Sequence, residues 1–455
     1  MKTSYAAMRG LALLAIASGA LACLACEPGV FSRAARDVTG ADAGSPDAGA
    51  QARDARTPAP AGREQSGAAA IGGMRSGTRA SAGAGGQTGS AAGHAGTSAA
   101  GASGSGGHAG TGGCAVRPAL DAVKLTPVEL GVVSVPAELD EVATGPAVLV
   151  QDRVLWMLGT REQSPFQGRP IVVSVSPGNL QKRSPQLDVQ TTAQLLFPEE
   201  AADAPSRVTP TSAWLAADGG SVQFYFTRTY IFNPLGVGLA QSTPEAPTAN
   251  TLVDSDSLFP RATLPDGGVG DRFRPLTMSA ATQRAGVSYV YMCHAKPDVS
   301  EETNAAGEHY QPCRVGRVPA QQVRDGSRYQ FWDGAQWQGD FTRASVVVDH
   351  VESGLSVEYN AYLDKYLAVH SGSDDTLVLK WATAPQGPFQ TLARIDTTKG
   401  TGTGLLTISF GGREIVGLRQ DCDRTLFIPY TVPLQDAAAP QVLHLETHVM
   451  QVDLE

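Results

Sequence analysis

Six cysteines and eight histidines are the residues of this 455-residue chain whose placement could support redox or metal chemistry. Cys23 and Cys26 close an apolar N-terminal stretch, which leaves Cys114, Cys293, Cys313 and Cys422, an even set suited to disulfides in an exported chain. Cys293 ends the strand-like run 287–292 and Cys313 opens the run 313–318. Antiparallel pairing would bring the two together at the base of the polar excursion 296–310, with Cα atoms about 4.4–6.8 Å apart. Closing such a loop contributes about 3 kcal/mol. Cys114 and Cys422 would then join the first residues of the folded part to its last strands. His444 and His448 fall on one face of a strand-like segment, but no further ligand lies at metal-binding spacing, so no metal is expected. A cofactor is not expected either. There is no Gly-x-Ser-x-Gly elbow, and the glycine-rich runs 81–86 and 104–113 have neither the preceding strand nor the following helix of a phosphate loop.

The elements that must position these residues begin late in the chain. Residues 1–22 read as an export signal: Lys2 and Arg9 supply positive charge ahead of the apolar run 11–22, which is too short to span a bilayer comfortably. Ala20-Leu21-Ala22-Cys23 resembles the lipobox of bacterial lipoproteins, which implies a diacylglycerol on Cys23. Cys26 offers a second register, and an ordinary secretory peptide is the alternative. Residues 23–113 form a tether. From 42 to 113 it is mostly alanine, glycine, serine, threonine and proline with scattered charge, and Ile71 and Met74 are its only large apolar side chains. Such a segment cannot offset backbone entropy by burying apolar surface and is expected to be disordered, spanning roughly 50 Å as a flexible coil. The expected location is therefore the bacterial cell envelope, with the membrane reached through the lipid anchor alone.

A formal net charge of -9, with no lysine–arginine cluster, argues against a nucleic-acid partner. From 114 to 455 the texture changes to short apolar and aromatic runs separated by turn signals, which predicts an all-β domain. The clearest stretch, 355–395, reads as four antiparallel strands, with a hairpin at Asp364-Lys365 and a second turn at Asp374-Asp375. Four strands in about 40 residues make one propeller blade. Further inner hairpins are read at 147–158, 211–227, 276–292 and 404–416, the last turning at Gly411-Gly412. Five hairpins predict a five-bladed β-propeller in one domain, 114–455, expected to be monomeric. A pair of β-sandwiches is the alternative architecture.

Residues 356–366 (Ser-Val-Glu-Tyr-Asn-Ala-Tyr-Leu-Asp-Lys-Tyr), 382–389 (Ala-Thr-Ala-Pro-Gln-Gly-Pro-Phe), Arg317-Val318-Pro319 and 329–337 resemble a bacterial family of five-bladed propellers of unknown function. That family is related to propellers that hydrolyse furanoside polymers such as arabinans. The resemblance implies a polysaccharide or cell-surface glycan as partner and acidic residues around a central channel. A glycosidase uses two carboxylates, about 5 Å apart for retention or about 6.5–9.5 Å for inversion. Glu358, on one face of an inner strand with Ser356 and Asn360, and Asp271 are the catalytic candidates. Asp140 and Glu141 precede the first hairpin, and Asp218 reads as a turn former. The chain departs from the pattern at Leu158-Gly159-Thr160, where an acid is expected between glycine and threonine. A non-catalytic binding or scaffold lipoprotein is the competing reading. Of Trp214, Trp332, Trp337 and Trp381, most should fill the space between blades, and one could face a ligand.

Overall fold

The computed structural model describes residues 118–455 except 137–138, 140, 161–167, 188–192, 198–205, 217–218, 231–232, 255–257, 260–261, 264–268, 271–273, 276, 278, 294, 297–301, 304–308, 402–407 and 437–442. The expected signal peptide, Cys23, the tether and Cys114 lie outside these residues.

Within them the chain forms five antiparallel blades. In blade one, Val142–Ala143 and Ala147–Val150 both pair with Arg153–Thr160, which is followed by Ile171–Val175 and Gln194–Leu195. The break between the two inner pieces has a steric cause. A Cβ on Gly145 would stand 2.2 Å from the Met157 carbonyl oxygen, so the backbone can pass there only without a side chain. Blade two runs Ser206–Leu215, Val222–Tyr230, Asn233–Thr243 and Ala246–Asp254 from inner to outer edge. Blade three starts with Ala280–Arg284 and Val287–Met292, joined by Ala285 and Gly286 at φ 51° and 77°, the two positive values a tight hairpin turn requires. Its third strand, His309–Pro319, carries Gln330–Trp332 and Val346–Val351. Blade four is Ser353–Asn360, Lys365–Ser371, Thr376–Ala382 and Gln390–Asp396.

Period-2 alternation explains why these sheets form a ring. In Arg153–Thr160, Val154, Trp156 and Leu158 enter one core, with Ile415, Phe427 and Val449 of blade five, while Leu155 and Met157 enter another, with Phe224 and Phe226 of blade two. Three further cores join blades two and three around Tyr225, Met292 and Tyr329, blades three and four around Tyr291, Val315 and Val357, and blades four and five around Val369, Leu377 and Ile428. Each blade therefore buries both faces against different neighbours. A sandwich pair does not have this cyclic sequence of cores. Blade five closes the circle with the strand order Leu125–Val132, Leu443–Leu454, Thr425–Gln435, so the first strand of the described chain is the outer edge of the last blade.

Two hairpins differ from expectation. In blade four Asn360 pairs with Lys365, so the turn is the four residues 361–364 rather than Asp364-Lys365. In blade five Gly411-Gly412 is not a turn. Phe410, Arg413 and Ile415 donate backbone N–H groups to the carbonyls of Thr431, Pro429 and Phe427, so 410–415 is the inner edge of the blade. The glycines serve close approach instead: a Cβ on Gly412 would stand 2.4 Å from Leu377 Cδ2 of blade four.

Cys293 and Cys313 form the expected disulfide. Their Cα atoms are 3.8 Å apart, tighter than the expected span, because they continue the facing pair Met292 and Arg314 on adjacent antiparallel strands. Cys422 is also disulfide-bonded.

Candidate functional site

The five inner edges wall a central channel. Its wider cavity, about 300 Å³, is lined from every blade, by Leu149, Trp214, Thr282, Glu358 and Arg413 among others. The strand Ser353–Asn360 shows how the sequence places these groups. Leu355 and Val357 enter the core against blade three, so the alternate residues Ser356 and Glu358 face the channel.

Glu358 Oε1 accepts the Thr282 hydroxyl of blade three at 2.6 Å and the Tyr359 backbone N–H at 3.2 Å. Among the described residues Oε2 takes no hydrogen bond. Burial pushes the Glu358 carboxyl above the usual range. The Thr282 bond, the Arg419 charge and the Tyr359 amide act against this, and the Glu414 charge adds to it. The result is a carboxyl that keeps its proton to higher pH than a free glutamate, with one oxygen uncommitted among the described residues.

Glu414, the other channel carboxylate, is committed. Arg419 Nε meets its Oε1 at 2.5 Å and Nη2 meets its Oε2 at 2.8 Å, while the Glu414 N–H donates to Ser356 Oγ at 2.8 Å. Arg419 Nη1 also donates to the Tyr359 carbonyl at 2.6 Å and lies 3.4 Å from Asp423 Oδ2, which ties blade five to the end of the inner strand of blade four. Burial alone would lower the pKa of this guanidinium. Glu414 and Asp423 outweigh that and hold it above the ordinary arginine range. Arg413 Nη1 donates to the Thr211 carbonyl at 3.0 Å, a bond from blade five to blade two that spans the edge of blade one.

Of the sequence candidates, Glu358 is thus in the channel, while Asp271, Asp140 and Asp218 lie outside the described residues. Glu141 is a structural carboxylate. Its Oε1 is 2.5 Å from His444 Nδ1 and its Oε2 accepts the Leu445 N–H at 3.0 Å. His448 stacks on Tyr430 and sits between Glu129 and Glu446. Among the described residues no group of three or more histidine, cysteine or acidic side chains could hold a metal ion, and no helix is long and apolar enough to cross a membrane. Trp214 is the tryptophan that lines the cavity, packed on Tyr225, whereas Trp332 and Trp337 pack on each other in the outer part of blade three. Thr282, Arg413, Glu414 and Arg419 were not anticipated. The available signal for the middle pair was two adjacent charges inside the otherwise apolar and glycine-rich run 410–418.

Comparison with known proteins adds the following. No curated protein matches the chain. The fold is similar to an N-acetylgalactosamine deacetylase from F. plautii solved with blood group B trisaccharide, at 9% identity and a TM-score of 0.46, covering 72% of this chain and 95% of that one. It is also similar to an alpha-L-arabinofuranosidase from Podospora anserina solved with cellotriose, at 10% identity and a TM-score of 0.42, covering 71% and 96%. A GH43_1 enzyme from Xanthomonas citri solved with xylotriose is similar at 13% identity and a TM-score of 0.40, covering 68% and 86%. Residues 256–434, from the end of blade two into blade five, match the family described as "Domain of unknown function (DUF4185)". These residues are therefore similar to that family, and they lie within a five-bladed propeller that extends to either side of them.

Proposed function

We propose that this is an exported, envelope-tethered propeller that engages a glycan through the wider channel cavity. The observation that carries the reading is the uncommitted Glu358 oxygen in a space of about 300 Å³. That space is at the small end of the range for ligand pockets and suits a single sugar residue. Its walls combine apolar faces, from Leu149 and Trp214, with the hydroxyl and carboxyl groups of Thr282 and Glu358. Sugar rings present the complementary mixture of C–H faces and hydroxyls.

Hydrolysis is a second reading, favoured by the upward shift of Glu358, because a general acid must hold its proton until the leaving oxygen needs it. Glu414 does not supply the companion carboxylate while Arg419 occupies both of its oxygens. Incubating the full chain with arabinans, xylans and cell-wall polysaccharides, while measuring both retention and released sugars, tests the two readings. Retention lost in E358A supports the glycan site, and sugar release lost in E358Q supports hydrolysis. Absence of both retention and release across the panel overturns the proposal.

A further inference from the structure

On the other side of the Arg413–Thr211 bond the channel continues into a second, smaller cavity of about 60 Å³. Blades one, two and five line it, through Thr144 and Gly145, Arg207 and Thr209, and Gly411 and Arg413. A single water needs on the order of 10–15 Å³ measured this way, so the space suits a group of a few heavy atoms but not a sugar ring. Its small walls are required by the fold. A Cβ on Gly411 would stand 2.9 Å from Thr144 Cγ2, and one on Gly145 would meet the Met157 carbonyl.

Three observations converge on one kind of occupant. Two guanidinium side chains line the same small space, whereas the chain as a whole carries a formal charge of -9. None of the described residues lining it is acidic. Among the described residues Thr144 Oγ1 is shielded from solvent and has no hydrogen-bond partner, although the Thr144 backbone N–H is satisfied by Thr431 Oγ1 at 2.9 Å. A buried hydroxyl without a protein partner is unfavourable unless a bound water, ion or ligand group satisfies it.

We propose that this cavity is an oxyanion site, in which Arg207, Arg413 and the Thr144 hydroxyl receive the carboxylate or sulfate group of an acidic sugar. Guanidinium forks match the paired oxygens of either group, and a hydroxyl completes the donor set. The ring of the sugar would remain at the mouth. The site shares Thr211 and Arg413 with the wider cavity but is not lined by Glu358, so anionic monosaccharides report on it whatever the fate of the Glu358 reading.

Isothermal titration of the full chain with sodium glucuronate, glucose 6-sulfate and glucose is the test. One-to-one saturable binding of either anion is expected, with no binding of glucose, and the preferred anion identifies the source of the charge. R207Q is expected to weaken binding by about tenfold or more and T144V by a few-fold, as charged and neutral hydrogen bonds differ in strength. Circular dichroism and melting temperature establish that each variant is folded, and T144V serves if R207Q does not fold. Failure of both anions to bind the wild-type chain, equal binding of glucose, or unchanged affinity in a folded R207Q or T144V overturns the proposal.

Discussion

Arg419 and Glu414 form a two-point ion pair with side chains only 5% and 1% exposed, in the same channel as Glu358, whose Oε2 takes no hydrogen bond among the described residues. Removing one partner of a buried pair leaves an uncompensated charge, which typically costs about 3–5 kcal/mol. E414Q is therefore expected to lower the unfolding free energy by several kcal/mol in urea titrations. The double variant E414L/R419M should lose less than E414Q. Equal stability of E414Q and wild type would show that the pair does not hold blades four and five together.

Glu358 makes stability depend on pH in a defined direction. Its folded pKa lies above the unfolded value of about 4.3. The native state therefore retains a proton that the unfolded chain has already released. Its contribution is complete below the unfolded value and is lost as pH rises through the folded one. Relative to E358Q, the wild-type protein should lose stability as pH rises above about 4, and parallel curves for the two would contradict this assignment.

His370 acts in the opposite window. It is fully buried in blade four, with Nδ1 2.9 Å from the Ser371 carbonyl oxygen, and burial pulls its pKa down from 6.5 to about 3. The unfolded chain takes up a proton below pH 6.5 while the native chain does not, so stability should fall between pH 6.5 and 3. A displacement of this size corresponds to at most roughly 5 kcal/mol. H370Q should flatten that acid limb in melts recorded across the range.

The covalent framework is open to direct mapping. Non-reducing digestion should recover Cys293 linked to Cys313, and Cys422 linked to Cys114. The double variant C293A/C313A should lose about 3 kcal/mol, in keeping with closure of a short loop. Recovery of Cys422 linked to any other cysteine would remove the fastening expected between the start of the domain and its last blade.

Anchoring is tested in cells. Replacing Cys23 by serine should block processing or shift the protein from the membrane fraction to the soluble one, and replacing Cys26 should not. The converse result would move the lipid to Cys26.

Blade four could be read from the chain because its inner strand alternates and its turns carry aspartates, Asp364 in one and Asp374-Asp375 in the other, both of them local signals. Glu358 was found for the same reason: alternation with Leu355 and Val357 leaves it one possible face. The inner edge of blade five could not be read this way. Gly411-Gly412 has the composition of a turn, but its role is set by Leu377, which is close only after blades four and five have packed. The Arg413–Thr211 bond joins residues 202 positions apart, and no local pattern announces it. Thr282 is an unremarked hydroxyl in sequence until blade three places it 2.6 Å from Glu358.

Because Leu125–Val132 pairs with Leu443–Leu454, and Lys124 exchanges both backbone hydrogen bonds with Glu455, the earliest strand of the domain has no sheet to join until the last has been made. During synthesis the ribosome must release nearly the whole propeller before the ring can close. Until then one edge of Leu443–Leu454 and the whole of Leu125–Val132 stay available to wrong partners. Such end-to-end pairing slows folding, since a long loop must be closed before its contacts are rewarded. A chaperone that covers the unpaired first strand until the last is complete would therefore protect this edge from mispairing.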